Sequence, residues 1–168
     1  MIYSFPPIAL PDAKVLVLGS IPGIASLDAQ QYYAHPRNSF WYIIEQLFAK
    51  TTPQNYEQKK QLLLTNNIAV WDVLKACIRE GSLDSSIQQE SVEANDFENF
   101  FNLHKNISNV FFNGAAAEKE FNKHVMHLAD IKSRRLQFHR LPSTSPAHAA
   151  MSREKKLEAW KIIAGSTI

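Results

Sequence analysis

Four short runs rich in β-branched and aromatic residues divide this chain: KVLVL (14–18), IAVWDVL (68–74), NVFFNG (109–114) and LQFHRLPS (136–143). Each has the length of a buried strand and ends at Gly, Pro or a polar residue. The segments between them read as helices. FWYIIEQLFAK, starting near Asn38 or Ser39, spaces Phe40, Ile43, Ile44, Leu47 and Phe48 along one helical face. Residues 57–66, 96–105, 115–128 and about 152–163 follow, with Asp96 and Ser152 as N-caps. Strands alternating with helices predict an α/β protein. The expected architecture is a three-layer α/β/α sandwich with a short, mainly parallel four-stranded central sheet, in one domain over 1–168. Pro6, Pro7 and Pro11 make the start an extended lead-in, and residues 79–91 read as a polar loop.

In such a sheet a ligand sits beyond the C-terminal ends of the strands. The segments leaving those ends are GSIPG (19–23) running on to HPRN (35–38), the loop after WDVL, NGAAAE and LPSTSPAH. These include the chemically least ordinary stretches of the sequence. GSIPG lacks the lysine of a phosphate-binding GxxxxGK loop and is not a dinucleotide fingerprint. Taken alone it is a plain βα turn. LPSTSPAHA (141–149) is either a rigid Ser/Pro linker or a loop whose hydroxyls and amides hold a phosphate oxygen. YYAHPRNSFW (32–41) starts a core helix with Phe40 and Trp41, but packing does not account for Tyr33, His35, Arg37 and Asn38.

Charge sorts along the chain rather than summing to much: the formal net charge is +2. Between Gly81 and Phe101 every charged residue is acidic, and between Ile131 and Arg140 every one is basic. A positive face beside LPSTSP is therefore expected from Arg134, Arg135 and Arg140. The one cysteine, Cys77, excludes an internal disulfide and any cysteine-built zinc or iron–sulfur centre, which suits a reducing cytoplasm. The N-terminal segment has no basic start followed by an apolar run, and no stretch reaches the length of a membrane span. A cytoplasmic protein without membrane contact is expected.

GSIPG, YYAHPRNSFW and LPSTSPAHA, in this order, resemble the motifs of the uracil-DNA glycosylase superfamily, over roughly residues 15–146. The set is most similar to the branch that acts on hypoxanthine, the base of deoxyinosine. The resemblance implies a monofunctional DNA repair glycosylase that flips a deaminated base and hydrolyses its N-glycosidic bond, as a monomer, with no cofactor and no metal. It implies that Asn38 holds the attacking water, that Tyr33 stacks on the extruded base, and that Asp72, Ile21 and Gly19 line the base. Ser20, Gly23, Arg37, Ser143, Thr144 and Ser145 are implied DNA contacts. Many members carry Asp or Asn before the first-motif proline, and this chain has Ile21, which cannot activate water. The last motif often opens with His or Asn, and here it opens with Leu141. A uracil or G:T/U mismatch glycosylase and a non-catalytic nucleic-acid-binding domain on the same scaffold are the alternatives. A serine hydrolase is disfavoured by the lack of GxSxG. For Asp72, a helix cap or a surface strand end is an equal reading.

Overall fold

The computed structural model describes residues 1–168. Its central sheet contains β2 (Val15–Gly19), β3 (Ile68–Asp72), β6 (Asn109–Asn113) and β7 (Gln137–Leu141), in the order β3-β2-β6-β7. All three pairings are parallel. Period-two alternation sends neighbouring residues to opposite faces. Val15, Val17, Ile68, Val70 and Phe111 enter one apolar cluster, whereas Leu16, Leu18, Trp71, Val110 and Phe112 enter the other. Both faces of β2, β3 and β6 are therefore covered, which is why they read as apolar runs, whereas the edge strand β7 (Gln-Phe-His-Arg-Leu) is mostly exposed or half-exposed.

Helices α2 (Phe40–Phe48), α3 (Tyr56–Thr65), α7 (Arg153–Trp160) and α8 (Ile162–Ser166) supply the first cluster with Phe40, Ile44, Leu63, Trp160 and Ile163. The second is closed by α4 (Phe97–Leu103), α5 (Ala115–His124) and α6 (Ala129–Ser133). The expected caps are present: Asp96 accepts from the Asn99 amide and Ser152 from the Lys155 amide. No helix is long and apolar enough to cross a membrane.

Two regions differ from the expectation. The short helix α1 (Ile24–Ala29) follows GSIPG directly. The supposed polar loop, residues 79–91, contains the turn and most of the last strand of a second sheet, in which β1 (Ile2–Tyr3), β4 (Leu74–Arg79) and β5 (Ile87–Ala94) pair antiparallel. Strand β5 is the solvent-facing edge, so its Gln, Glu and Ser residues stay wet, and its pairing with β4 is interrupted by register shifts. A polar, irregular edge strand has no apolar alternation to betray it.

The basic cluster is also differently placed. Arg134 precedes β7, at the end of the strand away from LPSTSP. Its guanidinium is already bonded to Asp130, Asn102 and the Phe101 carbonyl. Arg140 stands alone of the group near the C-terminal end, 3.7 Å from Glu118.

Candidate active site

The C-terminal ends of the four parallel strands place Gly19, Asp72, Asn113 and Leu141 in a row. Above them is a pocket of about 310 Å³, at the lower end of small-ligand sites. Gly19, Ser20, Ile21 and Gly23 line it, with Tyr33, Asn38 and Asp72, and with Ser143, Thr144 and Ser145. Sequence segments more than a hundred residues apart thus converge on one cavity. Arg37 does not join them. It is exposed and lines a neighbouring groove with Lys59 and Arg153.

Asp72 forms the floor. It is 4% exposed, its Oδ2 has no hydrogen-bond partner, and it is neither a helix cap nor a surface residue. Burial, and then the charge of Asp84, push its carboxyl up to about 7 against the opposing pull of Arg79. Gly19 makes room for it. A Cβ at residue 19 would lie 2.6 Å from Asp72 Oδ1 and 3.1 Å from the Tyr33 hydroxyl.

Tyr33 forms a wall. Its ring lies against Phe40 with centroids 4.1 Å apart. Its hydroxyl is buried without a partner and its pKa is raised by burial and by Asp72. The backbone has φ 55°, a left-handed conformation rare for a tyrosine. Its neighbour Tyr32 enforces this: the amide donates to the Tyr56 hydroxyl, the carbonyl accepts from the Trp41 indole, and the hydroxyl bonds the Pro6 carbonyl.

Asn38 is partly buried just before α2. Its Oδ1 accepts from the Phe40 amide at 3.0 Å, while Ser39 is the N-cap residue of the helix. That bond fixes the amide's orientation and leaves Nδ2 as the donor available to the cavity. His35 Nδ1 accepts from the Arg37 amide, which assigns the ring proton to Nε2.

The LPSTSP loop is held from below. Thr144 is 1% exposed; Asn113 Oδ1 accepts from its amide and Asn113 Nδ2 donates to its hydroxyl, each at 2.9 Å. Its carbonyl accepts from the Ser39 amide, tying the loop to α2. The side chain expected to contact DNA is thus spent on anchoring the loop. Trp160 donates to the Pro142 carbonyl and buried Lys156 to the Ser145 carbonyl. Gly114, at φ 95°, keeps the β6 exit clear, since a Cβ there would lie 2.9 Å from Ser143 Cβ.

The GSIPG loop is braced by residues that the sequence offered no reason to select. Arg79 is buried and donates to the Pro22 carbonyl at 2.7 Å and the Gly81 carbonyl at 2.8 Å. Ser82 Oγ accepts from the Ile24 amide, and Ser20, expected at a phosphate, donates its hydroxyl to Asp84. The charged Arg79 inside a predicted loop was the available signal, because a buried arginine must find carbonyl or carboxylate partners. No group of three His, Cys, Asp or Glu side chains is arranged to hold a metal ion.

The arrangement offers a stacking wall, an acceptor at the floor, an amide donor at the mouth and a braced hydroxyl-rich loop. Comparison with known proteins identifies the family. The uracil DNA glycosylase superfamily model matches residues 6–164. A hypoxanthine DNA glycosylase of Methanosarcina barkeri is 38% identical over 111 residues, covering 66% of this chain and 69% of that protein. One of Methanosarcina acetivorans is 32% identical over 160 residues, covering 95% of each. A solution NMR structure of a candidate uracil DNA glycosylase from Methanosarcina acetivorans superposes with TM-score 0.76 at 30% identity, over 98% of this chain and 97% of that one. On the fold, the pocket and these matches, the chain belongs to the uracil DNA glycosylase superfamily.

Proposed function

We propose that this protein is a monofunctional DNA glycosylase that removes hypoxanthine from deoxyinosine in DNA, with residues 1–168 acting as one domain. The observation that carries a deaminated base over adenine is the unpartnered, buried Asp72 carboxylate beside the Tyr33 ring; uracil shows the same N–H beside a carbonyl, and the choice of hypoxanthine over it rests on the relatives. Two relatives that bear the name hypoxanthine DNA glycosylase support the same reading.

The target base leaves the stack and enters the pocket, at a cost of a few kcal/mol that a mispaired base reduces. It stacks on the face of Tyr33 opposite Phe40, an interaction worth ~1–3 kcal/mol. Hypoxanthine presents an N–H beside a carbonyl where adenine presents a lone pair beside an amino group. The ionised Asp72 accepts that N–H. Adenine would place a lone pair against the carboxylate, leaving a buried acceptor unpaired at a cost of ~1–3 kcal/mol, or about ten- to hundredfold.

At the sugar, the C1′–N9 bond breaks and its electron pair departs with the base. Asn38 Nδ2 donates to a water oxygen and holds it below C1′. An amide is a poor base, so its contribution is placement of the water rather than proton abstraction. As the oxygen bonds to the cation-like C1′, its proton passes to solvent and the departing base takes up one. Ile21, beside Pro22, lines the pocket with hydrocarbon and takes no part in this step. Ser143 and Ser145, on the braced loop, hold phosphate oxygens on either side of the flipped nucleotide.

The test is a panel of duplexes that contain a single deoxyinosine, deoxyuridine or ethenocytosine. Hypoxanthine release at least tenfold faster than uracil release is expected. Faster uracil release would assign the alternative substrate, and binding without release of any base would make the protein a binding domain.

A further inference from the structure

Extruding a base leaves a gap in the duplex, and a protein that keeps the base out must fill that gap with a side chain. The wall carrying the LPSTSP loop offers little: its outer turn, residues 147–150, is Ala-His-Ala-Ala. Leu83 also lines the pocket and is 55% exposed. It belongs to the turn joining β4 to β5, and its backbone is extended at φ −83° and ψ 131°.

That turn is not a loose loop. Ser82 accepts from the Ile24 amide at 2.9 Å, and Asp84 accepts from the Ser20 hydroxyl at 2.5 Å. The residues on both sides of Leu83 are therefore fastened to the first-motif segment. Arg79 adds a third tie through the Pro22 carbonyl. An apolar side chain is thus held out of the core on a rigid mount at the mouth of the base pocket, beside Ile24, itself 49% exposed.

We propose that Leu83 is the wedge that enters the DNA stack in place of the extruded base. The inference rests on the glycosylase reading, because only a flipped nucleotide leaves a gap to fill. A wedge matters in duplex DNA and is idle in a single strand, which has no stacked partner to displace.

The experiment measures kcat/KM for hypoxanthine release from a deoxyinosine duplex and from the same strand alone, for wild type, Leu83→Ala, Leu83→Met and His148→Ala. Leu83→Ala is expected to lose at least tenfold on the duplex and less than twofold on the single strand, and Leu83→Met to recover most of the duplex rate. Unchanged single-strand cleavage also shows that the variant is folded. A 2-aminopurine placed beside the deoxyinosine reports unstacking on binding, independently of cleavage. Its fluorescence should rise with wild type and not with Leu83→Ala. Equal losses on both substrates, no loss on either, or a duplex-selective loss in His148→Ala alone would overturn the proposal. So would wild-type activity confined to single strands. A wild type that releases no hypoxanthine from either form defeats the glycosylase reading instead, and the fluorescence then decides the wedge.

Discussion

Gly19 and Asp72 are register partners across β2 and β3, and the carboxylate of one occupies the space a side chain on the other would need. A Cβ at residue 19 would come within 2.6 Å of Asp72 Oδ1. Both residues stand where their strands end and the pocket begins, so displacement of the carboxylate moves the proposed acceptor. Gly19→Ala is expected to fold, because the intrusion is confined to the cavity floor. It should lower kcat/KM for hypoxanthine by about tenfold or more, the cost of one misplaced hydrogen bond. Circular dichroism and a thermal melt check the fold, and cleavage kinetics check the loss.

Asp72 predicts an acid limb. Its carboxyl, ordinarily near 3.8, is pushed up to about 7 by burial first and Asp84 second. Above that pH it accepts a hydrogen bond. Below it the neutral acid donates, and the match to the hypoxanthine N–H is lost. The kcat/KM profile should therefore fall as pH drops below 7, levelling off at a loss of about ten- to hundredfold, the cost of that hydrogen bond. Discrimination against adenine should weaken over the same range, since a protonated Asp72 can donate to adenine's lone pair.

The same shift has a stability consequence of defined sign. The folded-state value is raised above the unfolded one, so between about 4 and 7 the folded chain holds a proton that the unfolded chain has released. The residue's contribution is most favourable below this window and is lost as pH rises through 7. Asp72→Asn should remove both this slope and the acid limb of activity. Urea melts across pH 4–8 measure the first and kinetics the second.

Tyr33 separates stacking from its buried hydroxyl. The ring rests on Phe40, and the hydroxyl has no partner. Tyr33→Phe deletes an unpaired polar group and should leave cleavage within a few-fold while holding or raising the melting temperature. Tyr33→Ala removes the stacking wall and should cost ~1–3 kcal/mol of transition-state binding, about ten- to hundredfold in kcat/KM. A larger loss in the Phe variant would move the role from the ring to the hydroxyl.

What the sequence shows and hides follows the physics of each part. The parallel sheet was legible because strands covered on both faces carry an apolar run, as Val15–Leu18 of β2 and Val110–Phe112 of β6 do. The pocket was legible because Gly19, Asp72 and the LPSTSP loop leave the same ends of those strands. The antiparallel sheet was not, because β5 is a half-wet edge whose residues alternate irregularly between buried and exposed. The bracing was hidden for a related reason. Arg79, Ser82, Asp84 and Asn113 act through contacts with segments far away in the chain, such as Asn113 with Thr144, and no local spacing encodes those. Thr144 and Ser20 carry hydroxyls that suit a phosphate, yet their partners lie within the protein.

Asn38 is the point on which the chemistry turns, and the bond its Oδ1 accepts from the Phe40 amide complicates a simple truncation. Loss of that bond alone is expected to cost about 0.5–1.5 kcal/mol of stability. Asn38→Asp keeps an oxygen for the Phe40 amide and replaces the free amide donor with a carboxylate oxygen. It therefore separates the two roles. The most direct measurement is single-turnover release of hypoxanthine from a deoxyinosine duplex at pH 8, by wild type, Asn38→Ala and Asn38→Asp, with DNA affinity measured on the same samples. Wild type should release the base. Asn38→Ala should bind DNA within a few-fold of wild type and release base at least a hundredfold more slowly, and Asn38→Asp should not show wild-type turnover merely because the bond to the Phe40 amide is kept. Wild-type rates in Asn38→Ala, or no hypoxanthine release by the wild-type protein, would contradict the account.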